Sequence, residues 1–387
     1  MTSFEKTATF GLSGIFILRL LGVFLILPVF SPYAATLTGA TPVLIGATLG
    51  IYGLTQAFLQ IPFGFASDRF GRKPLIALGL ILFIVGSLIA ALTSSIYGMM
   101  LGRALQGTAA IGSVILALLT DLVSPPKRSQ AMAILGIMIA LVFSLSLILG
   151  PLMSAYWSVQ GIFWLSAFLG GLGIFILYKV IPPVSQGATQ TDIIPASTVF
   201  KTLLQNRALL KLDAGIFILH AVLTALFVVL PFLLRQTLGE KANHEWSIYL
   251  GVIFAAFIIA LPVLRYSEKK GWTPLVFIAS IIGLGVSFLG FLILPLSLFS
   301  AGLLLALFFT AFTLLEANLP TLVSKLAPVE FKGAAMGIYS TLQFLGIFVG
   351  GTLAGLLFTH TSFQLVFVFC LISTIIWLAM VLGIKSR

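Results

Sequence analysis

Charge is what this chain has least of: Asp, Glu, Lys and Arg make up 8% of its 387 residues, and only 10 residues are acidic. A soluble domain carries roughly 25% charged residues, so a water-soluble globule is excluded and an integral membrane protein is indicated. A single cysteine, Cys370, rules out an internal disulfide and reads as packing. No Walker-type phosphate loop, no Cys/His metal spacing and no carboxylate pair at catalytic spacing occurs. His244 and His360 fall in expected external loops and form no ligand cluster. The sequence therefore offers no footing for an ATP-driven pump, an enzyme, a cofactor or a metal site.

What is present is apolar length. Hydrophobic residues make up 60% of the chain, and its mean hydropathy is +1.18. They gather into continuous runs at about 9–31, 44–66, 74–94, 97–122, 130–155, 161–181, 212–234, 247–264, 273–295, 299–323, 332–358 and 362–383. A spanning helix needs about 20 apolar residues, at about 1.5 Å each, to cross roughly 30 Å of hydrocarbon. A membrane β-barrel shows short alternating segments instead. The expected fold is an all-α membrane protein of twelve transmembrane helices. The first run holds Arg19 at its middle and lacks a cleavage site, so it is expected to be a retained helix and not a leader.

Basic residues set the orientation. Arg19 and Arg103 lie inside runs, Arg235 and Lys241 fall on one side, and every other Lys and Arg falls on the opposite side with both termini. N and C termini are therefore expected in the cytoplasm. The net charge of +11 is accounted for by this topology and by anionic lipid headgroups, with no need of nucleic acid.

The chain repeats itself. Residues 14–19 read GIFILR and 215–220 read GIFILH, followed by Pro28 and Pro231; Ala131-Met132-Ala133-Ile134 is echoed by Ala335-Met336-Gly337-Ile338. Offsets near 200 residues predict two pseudo-symmetric six-helix halves, 1–181 and 212–387. Parallel repeats of this kind rock against each other in transporters. The polar stretch 182–211 is the expected linker, with Phe200, Leu203 and Leu204 spaced for a short amphipathic surface helix. Prolines at 28, 62, 151, 231, 262 and 320 remove backbone donors inside runs and permit kinks, static or mobile.

Four ionisable side chains lie deep in apolar runs: Arg19, Arg103, His220 and Glu316, on the first, fourth, seventh and tenth runs. Each such charge costs about 2.5 to 3.5 kcal/mol on insertion scales, so these groups face a bundle interior or a wet cavity and mark a pathway. Glu316 reads as the one acid deep in a run, a group that can change protonation when a cavity switches sides, or else a fixed ion-pair partner. Histidine titrates near neutral pH, so His220 can share the proton or serve as a plain polar contact. Arg19 does not release its proton, which leaves it to tune a carboxylate or hold an anionic group. Tyr52, Gln56, Phe217, Phe309 and Gln343 are candidates to line a substrate cavity, or to pack.

Between the second and third runs stands Gly64-Phe65-Ala66-Ser67-Asp68-Arg69-Phe70-Gly71-Arg72-Lys73, and the fourth run holds Arg103-Ala104-Leu105-Gln106-Gly107. These resemble the G-x-x-x-D-R-x-G-R-K/R loop and the R-x-x-Q-G motif of the major facilitator superfamily. Gly150-Pro151 in the fifth run resembles the hinge motif of its antiporter branch, with Ser146, Ser154 and Ala155 replacing the usual flanking glycines by other small residues. The blocks from Arg19 to Pro28, His220 to Pro231, Leu315 to Pro320 and Lys332 to Gly346 resemble YajR-type transporters of the drug:proton antiporter group. Proteins of that type can carry a further soluble C-terminal domain; this chain stops at Arg387, directly after the twelfth run.

The resemblance implies a central cavity lined by the first, fourth, seventh and tenth helices. It also implies a cytoplasmic latch in which Asp68 meets the start of the eleventh helix near Gly333 and Ala334. A carboxylate at a helix N-terminus gains about 0.3 to 1 kcal/mol when exposed, and Arg72 is expected to fork onto Asp121. Gly64, Arg69, Gly71 and Lys73 complete the latch loop. The functional expectation is a bacterial inner-membrane transporter, monomeric, exporting small amphipathic compounds, multidrug-like, in exchange for protons. The alternatives are a proton symporter or facilitator of a small solute, and, further off, a non-transporting receptor or scaffold.

Overall fold

The apolar runs become long helices. The structure, a computed structural model, describes residues 1–182, 196–238, 245–358 and 362–382. Helices α1 (Ser3–Phe24), α2 (Phe30–Ala34), α3 (Pro42–Phe70), α4 (Arg72–Leu92), α5 (Ile96–Thr108), α6 (Gly112–Leu122) and α7 (Arg128–Lys179) form the first part. Then come α8 (Ala196–Gln205), α9 (Arg207–Leu238), α10 (Glu245–Lys270), α11 (Thr273–Ile293), α12 (Leu298–Leu326), α13 (Lys332–Leu357) and α14 (Gln364–Leu382). Among the described residues, 11 helical stretches are long and apolar enough to cross a membrane, α5 and α6 counting as one.

Helix α7 has 52 residues. At about 1.5 Å per residue it is more than twice as long as a hydrocarbon core of roughly 30 Å. Its backbone breaks at Ser158, with φ 64° and ψ 170°, a left-handed value that costs an L-residue about 1–2 kcal/mol. The break lies between the expected fifth and sixth runs.

Two other interruptions differ from the continuous runs expected. Thr2 and Glu5 cap α1 reciprocally, so it starts at Ser3; it ends at Phe24, and residues 25–29 turn before α2, with Pro28 unable to donate to the ladder. Gly150 of α7 lies against this turn. A Cβ there would sit 2.3 Å from the Leu25 carbonyl oxygen and 3.0 Å from Pro28 Cγ, so only hydrogen fits. The fourth run likewise divides at 109–111, between α5 and α6. In contrast, helices α3, α7, α9, α10 and α12 continue through Pro62, Pro151, Pro231, Pro262 and Pro320.

The chain separates into two compact units, residues 1–40 with 51–193, and residues 41–50 with 194–387. In the first, α1 packs on α7, and α4 packs on α5 and α7; in the second, α9 packs on α13, and α11 packs on α12 and α14. Lys73 Nζ donates to the Ile181 carbonyl at 2.6 Å just past α7, and Arg128 Nε donates to the Thr120 carbonyl at 3.1 Å at the end of α6, each a cation on carbonyls that a helix end leaves free. In the expected linker, residues 183–195 lie outside the described residues; within α8, Leu203 is buried and Leu204 exposed. Lys241, His244, His360, Lys385 and Arg387 also lie outside the described residues.

Candidate functional site

The deep charges fall into two clusters, one in each unit. In the first unit, Arg19 on α1 is fully buried, and its Nη2 donates to Tyr52 Oη at 3.0 Å and to Gln56 Oε1 at 2.9 Å, both on α3. Tyr52 and Gln56 are one helical turn apart and so present both acceptors to one guanidinium. Arg103 on α5 approaches Tyr52 as well, its Cζ 5.1 Å from the ring centroid, while the Arg19 Cζ lies 5.7 Å from that same ring. Cation–π contact of this kind contributes about 0.5–1 kcal/mol when exposed and about 2 when desolvated.

The R-x-x-Q-G motif explains how α5 delivers Arg103. Its Nη1 donates to Gln106 Oε1 at 2.8 Å, Gln106 Nε2 donates to Ser87 Oγ at 2.8 Å, and Ser87 Oγ donates to the Phe83 carbonyl at 2.7 Å. Gly107 lets α5 touch α3: a Cβ there would lie 2.2 Å from the Tyr52 carbonyl oxygen. Thr55 Oγ1 closes the contact with a 2.9 Å bond to the Ala104 carbonyl.

In the second unit, Glu316 on α12 meets His220 on α9 and Gln343 on α13. Gln343 Nε2 is 2.8 Å from His220 Nε2 and 3.5 Å from Glu316 Oε1, and His220 Nε2 is 3.9 Å from Glu316 Oε2. His220 Nδ1 faces the Ile216 carbonyl at 3.3 Å. Neutral imidazole has one donor and one acceptor nitrogen. With Nδ1–H donating to Ile216, Nε2 accepts from the Gln343 amide, and the second amide proton points to the carboxylate. A proton arriving on His220 Nε2 turns that acceptor into a donor, and the Gln343 amide then has to present its oxygen. The Glu316 side chain sits mid-helix in an apolar span and is 39% accessible as a whole, but its Oε2, the oxygen that faces His220, is buried and meets no hydrogen-bond partner among the described residues.

A second acid is buried in this unit, at the edge of a span and not deep within one. Asp213 on α9 is only 5% exposed, and its Oδ1 meets no hydrogen-bond partner among the described residues. Tyr339 on α13, one turn before Gln343, is buried, and its Oη meets no hydrogen-bond partner among the described residues. The signal was there to read: Asp213 precedes His220 by seven residues, two turns on one helix face. Its place at the edge of the apolar run hides it from a search for charges inside runs.

The loop motif builds a local network. Arg72 Nη1 pairs with Asp68 Oδ1 at 2.5 Å and donates to Ser67 Oγ at 2.6 Å, while its Nε pairs with Asp121 Oδ2 at 3.2 Å. Gly71 takes φ 94°, open to glycine, in the one residue between α3 and α4. Gly64 accepts from Ser67 through its carbonyl at 2.7 Å, and Arg69 Cζ lies 5.6 Å over its neighbour Phe70.

Of the cavity candidates, Tyr52, Gln56 and Gln343 belong to the two charge clusters. Phe217 is half-buried on α9. Phe309 is buried, its ring edge-on to Phe308 at 5.2 Å and 6.4 Å from Phe227, which is packing inside its unit. A separate apolar cavity of ≈ 160 Å³ in this unit is lined by Val263, Gly283, Leu307, Ala311 and Leu314 among others, and holds none of the expected site residues. No cluster of three or more His, Cys, Asp or Glu able to hold a metal occurs among the described residues.

Spanning helices that carry buried charges toward one another define a multi-pass membrane protein of the transporter class. The Major Facilitator Superfamily profile matches residues 12–351 and 276–386, and the chain belongs to that superfamily, whose members are transporters and not enzymes. It is 40% identical over 386 residues to the inner membrane transport protein YajR of Escherichia coli (strain K12), across 100% of this chain and 85% of that protein. It is 24% identical over 345 residues to the multidrug resistance protein MdtH of Aeromonas salmonicida (strain A449), across 87% of this chain and 82% of that one. Its fold matches the crystal structure of the nucleoside transporter NupG with a TM-score of 0.75 at 15% identity, covering 100% of both chains.

Proposed function

We propose that this protein exports small amphipathic compounds across a bacterial inner membrane in exchange for protons, as a monomer working by alternating access. In this reading the chain crosses the lipid twelve times with both termini in the cytoplasm, and 182–211 joins two six-helix halves, 1–181 and 212–387. The observation that carries it is the Glu316–His220–Gln343 cluster: an acid in an apolar helix, within 3.9 Å of an imidazole that can take up a second proton. One proton crossing 100 mV yields about 2.3 kcal/mol, enough with a pH gradient to drive a coupled exporter. The similarity to an inner membrane transport protein and, more remotely, to a multidrug resistance protein supports the location and the cargo class.

Asp68, Arg72 and Asp121 act in this reading as the cytoplasmic latch, with Gly64, Arg69, Gly71 and Lys73 shaping its loop. Gly150 and Pro151 serve as the hinge of α7. The test is reconstitution into liposomes loaded with a pH-sensitive dye and challenged with a panel of amphipathic solutes. Antiport predicts proton movement opposite to the solute. Co-directional movement replaces it with symport, and solute movement without protons replaces it with facilitated transport.

A further inference from the structure

Among its described residues, the first unit holds two guanidiniums deep in apolar runs and no acid that pairs with either. Arg19 has five N–H donors, and only Nη2 is engaged, by Tyr52 and Gln56; Nε and Nη1 meet no acceptor among the described residues. Arg103 spends Nη1 on Gln106, and its Nε likewise meets none. Neither arginine lies within 4.0 Å of a carboxylate there. The described acids of this unit are committed elsewhere: Glu5 to Thr2 and Ser124, and Asp68 and Asp121 to Arg72.

A buried cation without a partner is strongly unfavourable, yet Arg19 is fully buried and fixed in place by two hydrogen bonds and the faces of Tyr52 and Phe83. A site fixed in this way with unspent donors is complementary to an oxyanion, and it repels a cationic head. We propose that Arg19, oriented by Tyr52 and Gln56 and reinforced by the charge of Arg103, is a binding subsite for the acidic headgroup of the substrate, which is an organic anion bearing a carboxylate, sulfonate or phosphate. This rests on the transport reading above and narrows its cargo class.

The test is binding to the purified full chain in neutral-lipid nanodiscs, with no pH gradient, by calorimetry. The probes are 1-naphthoate, 1-naphthalenesulfonate and 1-naphthyl phosphate, against 1-naphthylmethyl-trimethylammonium, which shares the ring and reverses the charge. The wild type is expected to bind at least one anion ten-fold or more tighter than the cation, with 150 mM chloride failing to displace it. Arg19→Gln is expected to lose that preference, Arg19→Lys to keep part of it, and Tyr52→Phe to weaken it several-fold. If Arg19→Gln does not fold, as judged by gel filtration, the Lys and Phe variants decide.

Equal or tighter binding of the cation, no binding of any anion, displacement by chloride, or unchanged selectivity in all the variants overturns the proposal. If Arg19 serves only as counter-charge to a carboxylate of the protein, its variants change the pH dependence of transport and leave anion selectivity intact, which also overturns it. Failure of the transport reading looks different: anions bind selectively and no solute crosses the liposome membrane under any gradient.

Discussion

Gln343 Nε2 lies 2.8 Å from His220 Nε2, which makes the amide of α13 the connection between an imidazole on α9 and a carboxylate on α12. The bond needs one partner to accept and the other to donate, so a proton taken up on His220 Nε2 obliges Gln343 to turn its oxygen toward the ring. The contact joins three helices of one unit.

Replacing Gln343 by Leu removes that connection and leaves a buried imidazole nitrogen unsatisfied, at a cost of about 1–3 kcal/mol. Proton-driven transport is expected to fall about ten-fold or more, the equivalent of about 1.4 kcal/mol, while solute binding without a gradient holds. Equal initial rates for wild type and variant in reconstituted vesicles would remove Gln343 from the coupling path.

Asp68→Asn keeps the size of the side chain and removes the charge that pairs with Arg72. The lost pair is exposed and worth about 1 kcal/mol or less, so insertion and folding are expected to persist while transport drops ten-fold or more. Cys370 is buried, so a single cysteine introduced on the cytoplasmic side reports accessibility with little background. Wild-type labelling rates together with wild-type transport would reduce the loop to a topology signal.

Alanine at a helical glycine ordinarily gains about 1 kcal/mol. At Gly107 the new Cβ meets the Tyr52 carbonyl oxygen at 2.2 Å, whereas at Gly136 it meets nothing within 4 Å. Gly107→Ala is therefore expected to destabilise by about 1–3 kcal/mol through overpacking, and Gly136→Ala to be neutral or stabilising. Thermal unfolding of the two variants in one detergent checks the difference in sign.

The all-helical membrane fold was legible because apolar length is a local signal that lipid enforces. The interruptions were less so. Ser158 breaks α7 without a glycine or proline at the position, and the division at 109–111 falls in a stretch of small apolar residues. At the site, a charge in an apolar run announces itself, which is why Arg19, Arg103, His220 and Glu316 were found. Which side chains meet depends on packing, so that Tyr52 and Gln56 on α3 hold Arg19 could not be read from spacing. Asp213 and Tyr339 were missed because a run boundary hides an acid and a tyrosine passes for packing.

Glu316→Gln tests the central claim most directly, because it preserves shape and some hydrogen bonding and removes the titratable proton. The measurement is protons moved per solute in reconstituted vesicles at matched protein density, for wild type, Glu316→Gln and Asp213→Asn, using a panel solute that the wild type transports. The account predicts that Glu316→Gln still binds solute and exchanges it down its own gradient, with no uphill transport driven by a pH gradient and no coupled proton. Asp213→Asn is expected to keep the wild-type ratio. A Glu316→Gln protein with an unchanged proton-to-solute ratio would contradict the account and place coupling at His220, Asp213 or Asp121.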